Sequence, residues 1–329
     1  MKNVAFSIHK GLSKRVDTLT VTRYGNDVSG TGIKEIRMDR LFLSRKLGRT
    51  VRDYSPDAIL YMPQTSITFN SFLRGKILKS IRKSSKVALF ATIKRDYSML
   101  QRLVIERFLK PDIVFIFGDF KEWSFNNIRT HILPPAIDTD RFSVPTADEK
   151  IQLRERYGVA VNKRVVLHVG HVRPTRNVSL LQTLQGHKDI QVLLIDSTTT
   201  PQYKGLIKRM KDEGIIVLSE YIPDMSEIYK LSDIYVFPVR DEIASINLPL
   251  SILEAMACGL PVITTRFGGL EGYFQEDEVF RYLDADEELL DIVDDINMDG
   301  RANREKVMSF TWDRLVDEMI GHMFEGSLP

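Results

Sequence analysis

The feature that most constrains this chain is a rhythm, run through twice, of short apolar runs alternating with longer stretches of helical period. In the first half, "NVAFSI" (3–8), "DAILYM" (57–62), "KVALFA" (86–91), "DIVFIF" (112–117) and "HILP" (131–134) read as buried strands. Between them "LFLSRKLGRTVRDY" (41–54), "SFLRGKILKSIRK" (71–83) and "YSMLQRLVIERFL" (97–109) read as helices, and "DTLTVTRYG" (17–25) is one more candidate strand. Parallel strands need long crossovers, so this order predicts a parallel sheet covered on both faces. The polar stretch "SVPTADEK" (143–150) breaks the pattern and reads as a linker. The rhythm then restarts with "RVVLHVG" (164–170), "IQVLLID" (190–196), "IIVLS" (215–219), "DIYVFP" (233–238) and "PVITT" (261–265).

The expected fold class is therefore α/β, with two Rossmann-like domains whose parallel sheets face a central cleft. The boundaries expected are 1–142 for the first domain, 143–150 for the linker and 151–302 for the second domain. The segment 303–329 forms a closing amphipathic helix with Phe310, Trp312, Leu315 and Met319 on its apolar side. Ligands of open α/β sheets bind at the carboxyl ends of the strands, which places the expected site in the cleft.

At 329 residues the chain exceeds one ordinary core, which supports two domains. No run of about 20 apolar residues occurs. Its single cysteine, Cys258, excludes an internal disulfide and fits a reducing compartment, so the expected location is the cytoplasm. The net charge of +2 hides an asymmetry: residues 71–110 hold eleven Lys/Arg against Asp96 and Glu106, and residues 271–299 hold twelve acids against Arg281. A basic first half points to an anionic partner there, while two solvated faces of opposite sign are the plainer reading.

Two segments of the second half carry chemistry. "LHVGHVRPTRNVSLLQTL" (167–184) reads as a strand, a tight turn at Gly170, a basic loop with Arg173 and Arg176, and a helix starting near Asn177. Guanidinium forks and helix N-termini both favour phosphate oxygens. "SINLPLSILEAMACG" (245–259) repeats the geometry, with Asn247 as N-cap and Gly259 closing the helix. Glu254 is the only charged residue between Glu242 and Arg266 and shares an inward stripe with Leu250, Ala257 and Cys258. A carboxylate there needs partners. Backbone amides or a ribose hydroxyl pair would serve, and both remain open. Together these features describe a nucleoside-diphosphate site.

The second half resembles the nucleotide-sugar domain of retaining glycosyltransferases of the GT-B fold, family 4 (glycosyl transferases group 1). "ILPPAIDTDRF" (132–142) is similar to that family's interdomain link, and "HVGHVRPTRNVSLL" to its phosphate loop. "YIPDMSEIYKLSDIYVFP" (221–238) and "LPLSILEAMACGLPVITTRFGG" (248–269) are similar to its two most recognisable segments, and "FTWDRLVDEM" (310–319) to the helix that crosses back onto the first domain. The match runs over about 130–320; the first half shares only the rhythm.

The resemblance implies that Arg176, in the place of the phosphate-loop lysine, holds the donor diphosphate. It implies that Glu254 binds the ribose, that backbone near Ser245, Ile246, Asn247 and Leu248 meets the distal phosphate and sugar, and that Tyr221 and Ile222 flank the base. Gly170 and His171 belong to the same loop. The chain departs from the pattern at four places. The loop arginine after Gly170 is His171, with Arg173 two residues on as a substitute. The first acid of the Glu-x7-Glu motif falls on Ile246 counted back from Glu254, or on Glu242 counted forward from "FP", with "IASI" (243–246) extra. "DSTTTP" (196–201) replaces a Gly-rich turn. In the first domain one Gly pair is reduced to Gly11 and a histidine position is Lys94.

Other signals carry less. "SGTG" (29–32) reads as a turn, the six histidines show no metal spacing, His168 reads as a satisfied core residue, and Cys258 as packing. The expected activity is transfer of a sugar from a nucleotide-sugar donor to a glycan or lipid-linked acceptor with retention of configuration. The catalytic residues expected are Arg176, Arg173 and Glu242; no resident cofactor, divalent metal or nucleic-acid partner is required. A sugar-nucleotide epimerase is disfavoured for want of placeable catalytic acids and histidines. A non-catalytic GT-B protein binding a sugar nucleotide or polyanion is the alternative. The basic helix 71–83, with Leu73, Ile77, Leu78 and Ile81 opposite Lys76, Lys79, Arg82 and Lys83, is the expected contact with an anionic membrane surface.

Overall fold

The computed structural model describes residues 2–23, 33–63, 66–92, 95–118, 125, 127–196, 203–241 and 244–324. The chain forms two compact units, one built from Met1–Ala136 and Trp312–Pro329, the other from Ile137–Thr311.

In the first unit, β1 (Thr20–Thr22) pairs in parallel with β2 (Ile33–Glu35). The main sheet holds β3 (Ala58–Tyr61), β4 (Lys86–Ala91), β5 (Ile113–Phe117) and β6 (Thr130–Leu133) in that order, all parallel. The run at 3–8 is not a strand. It lies in the helix Lys2–Ser13, where Val4, Ile8 and Leu12, spaced four apart, are buried. That helix and the last one, Trp312–Phe324, are locked together. A β-carbon at Gly11 would lie 2.7 Å from Val316 Cγ2. Arg15 pairs with Asp313 at 3.0 Å and also with Asp317. Trp312 stacks on Phe117 of β5, with centroids 6.3 Å apart and planes within 5°. The crossing back thus begins at Trp312, and the preceding helix, Arg301–Val307, belongs to the second unit.

The second unit carries a six-stranded parallel sheet. Its strands are β7 (Arg164–Val169), β8 (Ile190–Ile195), β9 (Ile216–Leu218), β10 (Ile234–Phe237), β11 (Val262–Thr264) and β12 (Phe280–Tyr282). Their spatial order is β12-β11-β10-β7-β8-β9. Side chains alternate faces with period two. Val165, Leu167, Tyr235, Phe237 and Val262 enter one core; Val166, Val192, Ile234, Val236 and Ile263 enter the other. The sequence expected no strand in the acid-rich stretch that contains β12. That acidity is absorbed locally: Arg266 pairs with Asp284 at 2.9 Å, Arg281 with Glu276 at 3.1 Å and Lys306 with Asp277 at 2.6 Å.

The expected linker 143–150 runs straight into a helix, Ala147–Tyr157, because the Thr146 hydroxyl caps it by accepting from Glu149 N at 3.1 Å. Where the unit begins and ends, Ile137 N donates to Phe310 O at 2.8 Å and Ile137 forms a bridge with Thr311.

Candidate functional site

The strand order of the second unit reverses between β7 and β10. From β7 the chain builds outward through β8 and β9, then returns to β10 on the other side. Loops leaving the carboxyl ends of these two strands diverge there and leave a crevice. Gly170 ends β7, and the loop after β10 carries Ala244 to Leu248.

Arg176 is drawn into this crevice. It sits at the end of a 3₁₀ turn, Pro174–Arg176, is 8% exposed, and donates from Nη2 to Ala244 O at 2.8 Å. Its guanidinium covers Gly170 so closely that a β-carbon there would collide with Nη1 and lie 3.3 Å from Cζ. Burial depresses its pKa, and the neighbouring Arg173 charge adds to the effect. Two cations this close call for an anion. Arg173 Nε is itself buried with no hydrogen-bond partner among the described residues.

His168 lies beneath, fully buried in β7, with Nδ1 2.9 Å from Val236 O. Since a carbonyl only accepts, Nδ1 carries the proton and Nε2 keeps a lone pair. That Nε2 is buried and has no partner among the described residues, so His168 is only half satisfied. Burial and the Arg176 charge lower its pKa to about 3. The same two causes, with Arg173, lower that of His171.

The helix expected from Asn177 is broken. Asn177 adopts a left-handed conformation (φ 53°), followed by a 3₁₀ segment, Val178–Leu181, and one α-turn, Gln182–Gln185. Its side chain explains the break: Nδ2 donates to Asp286 at 3.1 Å, and Asp286 also pairs with Arg240 at 2.8 Å. This tie joins the loops after β7 and β10. The loop after β7 is thus held by side chains, and its segments Val178–Leu181 and Gln182–Gln185 offer no long helix dipole.

The second segment also differs from expectation at its start. Pro249, not Asn247, caps the helix Leu250–Ala257. Proline's fixed φ and missing N–H suit the first turn. Asn247 is committed elsewhere: its carbonyl accepts from Gly269 N at 3.1 Å, and a β-carbon at Gly268 (φ 56°) would collide with that carbonyl and stand 2.9 Å from Asn247 Oδ1. Leu248 is buried, while Ser245 and Ile246 are half-buried. The helix ends as expected at Gly259, with Gly259 N bonded to Met256 O and Leu260 N to Ala255 O.

Glu254 points inward and is already bonded. Its Oε2 accepts from the Tyr229 hydroxyl at 2.6 Å. Tyr229 is fully buried on the helix Met225–Lys230, a partner 25 residues away that the sequence reading missed. Burial pushes the Glu254 carboxyl up to about 7, against the opposing pull of Tyr229 and the Arg141 charge. Tyr235, buried in β10, lies within electrostatic reach of both Arg176 and Glu254, with Ser251 beside its hydroxyl; burial raises its pKa. The loop after β7 and the acid therefore share one neighbourhood.

Ile222 is buried in the core beside β10, and Tyr221 is 78% exposed. Cys258 is buried and free, and burial raises its thiol pKa. Glu242, Lys94, "SGTG" (29–32) and residues 197–201 of the "DSTTTP" turn lie outside the described residues. Among the described residues no three His, Cys, Asp or Glu side chains converge as a metal-binding group.

Residues 149–305 match the family Glycosyl transferases group 1. A D-inositol 3-phosphate glycosyltransferase from Geodermatophilus obscurus is 27% identical over 224 residues, 58% of this chain and 46% of that protein. A GDP-mannose-dependent alpha-(1-6)-phosphatidylinositol monomannoside mannosyltransferase from Mycolicibacterium smegmatis is 29% identical over 150 residues, 42% of this chain and 38% of its own length. The chain spans less than half the length of these relatives. Among solved structures, a glycosyltransferase from Rickettsia africae superposes with a TM-score of 0.81 over 98% of this chain and 94% of its own, at 15% identity. Anabaena HepE, crystallised with UDP and glucose, gives 0.75 over 99% and 96% at 14% identity. The chain thus has the GT-B fold, and its second unit matches the glycosyl transferases group 1 over residues 149–305.

Proposed function

We propose that this chain transfers a sugar from a nucleotide-sugar donor to a glycan or lipid-linked acceptor, with retention of configuration. The observation that carries the reading is the cationic crevice at the β7/β10 switch point: Arg176 seated on Gly170, with the buried Nε of Arg173, unpartnered among the described residues, beside it. Loss of a diphosphate leaving group needs positive charge held ready where negative charge develops. Buried guanidinium groups supply it without reorganisation.

Arg176 and Arg173 hold the diphosphate. Glu254 takes the ribose hydroxyls, with Tyr229 fixing the rotamer of its carboxylate. Asn247 and Leu248 line the sugar end by backbone, and Glu242 is assigned to a sugar hydroxyl. Location in the cytoplasm, at the membrane face where a lipid-linked acceptor is exposed, belongs to the same reading. The resemblance to an enzyme named for a phosphatidylinositol mannoside acceptor supports that acceptor class.

The experiment is hydrolysis and binding across a panel of nucleotide sugars, with UDP-glucose and GDP-mannose first. Slow release of nucleoside diphosphate with one donor supports transfer. Tight binding of nucleotide sugars with no turnover, even with lipid extracts as acceptor, would favour a non-catalytic binder.

A further inference from the structure

Most of the apolar side expected on 71–83 is taken up inside the fold, and Ile77 is half-buried. Phe72 and Leu78 are buried in the helix Phe69–Ile81, Leu73 and Ile81 pack against the same cores, and Lys79 is held by Asp112 at 2.9 Å. An open apolar face lies on the next helix instead. Ser98 and Gln101 cap the helix Met99–Val104 reciprocally, at 3.3 and 3.0 Å. It continues into a single π-turn, Ile105–Leu109.

Ile105 and Leu109 face the core, as does Tyr97. Met99, Leu100, Leu103 and Phe108 face out, at 85%, 72%, 56% and 59% exposure. Four large apolar side chains within ten residues make a patch, whereas scattered single ones would need no explanation. The wider π-turn slows the winding and keeps Phe108 on the flank of Leu100, where a continuous α-helix would carry it further round.

Charge decides what covers the face. Arg95, Arg102, Arg107 and Lys110 are all exposed around it, against exposed Asp96 and half-buried Glu106. Docking a second copy across a two-fold axis would set this basic rim against itself. A bilayer with anionic headgroups receives both features, apolar side chains at the acyl boundary and cations among the phosphates.

We propose that the exposed face of residues 99–108, with its rim of Arg95, Arg102, Arg107 and Lys110, docks this chain onto an anionic lipid surface. The inference rests on the lipid-linked form of the acceptor given above, and it places the membrane contact on a helix distinct from 71–83.

The test is flotation of the full chain with vesicles of phosphatidylcholine alone or mixed with phosphatidylglycerol, at low and high salt. Recovery should be about tenfold higher with the anionic vesicles and should fall with salt. Leu100→Ser/Leu103→Ser/Phe108→Ser should lose that recovery about tenfold with an unchanged melting temperature, since these side chains leave no cavity. Arg102→Gln/Arg107→Gln/Lys110→Gln should weaken binding and abolish its salt dependence. Equal recovery from neutral and anionic vesicles overturns the proposal, as does a serine variant that floats like the parent. So does a parent dimer that the serine substitutions convert to monomer. Nucleoside-diphosphate binding without vesicles separates the two readings: binding without flotation sinks this inference alone, and flotation without binding sinks the donor site alone.

Discussion

The Tyr229 hydroxyl donates a 2.6 Å hydrogen bond to Glu254 Oε2, joining the helices Met225–Lys230 and Leu250–Ala257. The inward acid of the "LEAMACG" helix therefore has a partner inside the protein, and a ribose would compete for, or complete, what Tyr229 begins.

The pair has a pH signature. Glu254 titrates at about 7 when folded against an ordinary value of 4.5, so the folded chain holds a proton that the unfolded chain gives up across that interval. The stability that goes with that proton is fully present below about pH 4.5 and is lost as pH rises through about 7. Glu254→Gln cannot ionise. In thermal melts its midpoint should gain on the parent's between about pH 5 and about pH 8. A constant gap across that range would mean that Glu254 is ionised throughout.

Binding separates Tyr229 from the proposed ribose as partners of Glu254. Glu254→Gln should weaken nucleoside-diphosphate binding at least about tenfold by calorimetry, through loss of charge-assisted hydrogen bonds of about 1.5–3 kcal/mol. Tyr229→Phe should cost about 1–3 kcal/mol of stability and leave affinity within about threefold. If Tyr229→Phe costs as much affinity as Glu254→Gln, the acid serves only to hold the helices.

Arg176 depends on the bare backbone at 170. Gly170→Ala puts a methyl group where the guanidinium lies, so it should lower turnover about tenfold or more with a normal circular dichroism spectrum. Arg176→Lys keeps the charge and loses the fork; kcat should fall about 100-fold. Unchanged steady-state kinetics in both variants would remove Arg176 from the leaving-group site.

Glu242 and Asp241 form the comparison for the sugar end. Glu242→Ala should lower turnover with the preferred donor by about tenfold and leave nucleoside-diphosphate affinity within about twofold, because only a sugar contact is removed. Asp241→Ala should be near neutral. Equal effects from the two would leave the first acid position vacant at Ile246.

Much of this was readable because periodicity and local chemistry agreed. The apolar runs "RVVLHVG" and "DIYVFP" placed the strands, and Gly170 and Gly259 follow from what a turn and a helix end require. The failures had long-range or ambiguous causes. "NVAFSI" satisfies both a short strand and a helix; the choice was made by a partner helix some three hundred residues on. Asn177 breaks its helix because Asp286, far along the chain, holds its side chain. Nothing near Tyr229 in the sequence marks it as the partner of Glu254; the fold sets the two together. The sequence reads His168 as satisfied, and only the geometry leaves its Nε2 without a partner among the described residues. Amphipathicity in 71–83 was real, but it described a face turned towards the core.

The ends of the second unit meet: Ile137 N bonds to Phe310 O, and Ile137 lies beside Thr311. In topological terms the second unit is an insertion, a closed loop of chain that leaves and rejoins its host at one point. A segment with joined ends loses little entropy when tethered elsewhere, so it is a cassette that can be cut out, grafted or exchanged as a piece. The first unit has no such freedom. Its last helix is encoded after the cassette, so a ribosome must finish both halves before the first can close.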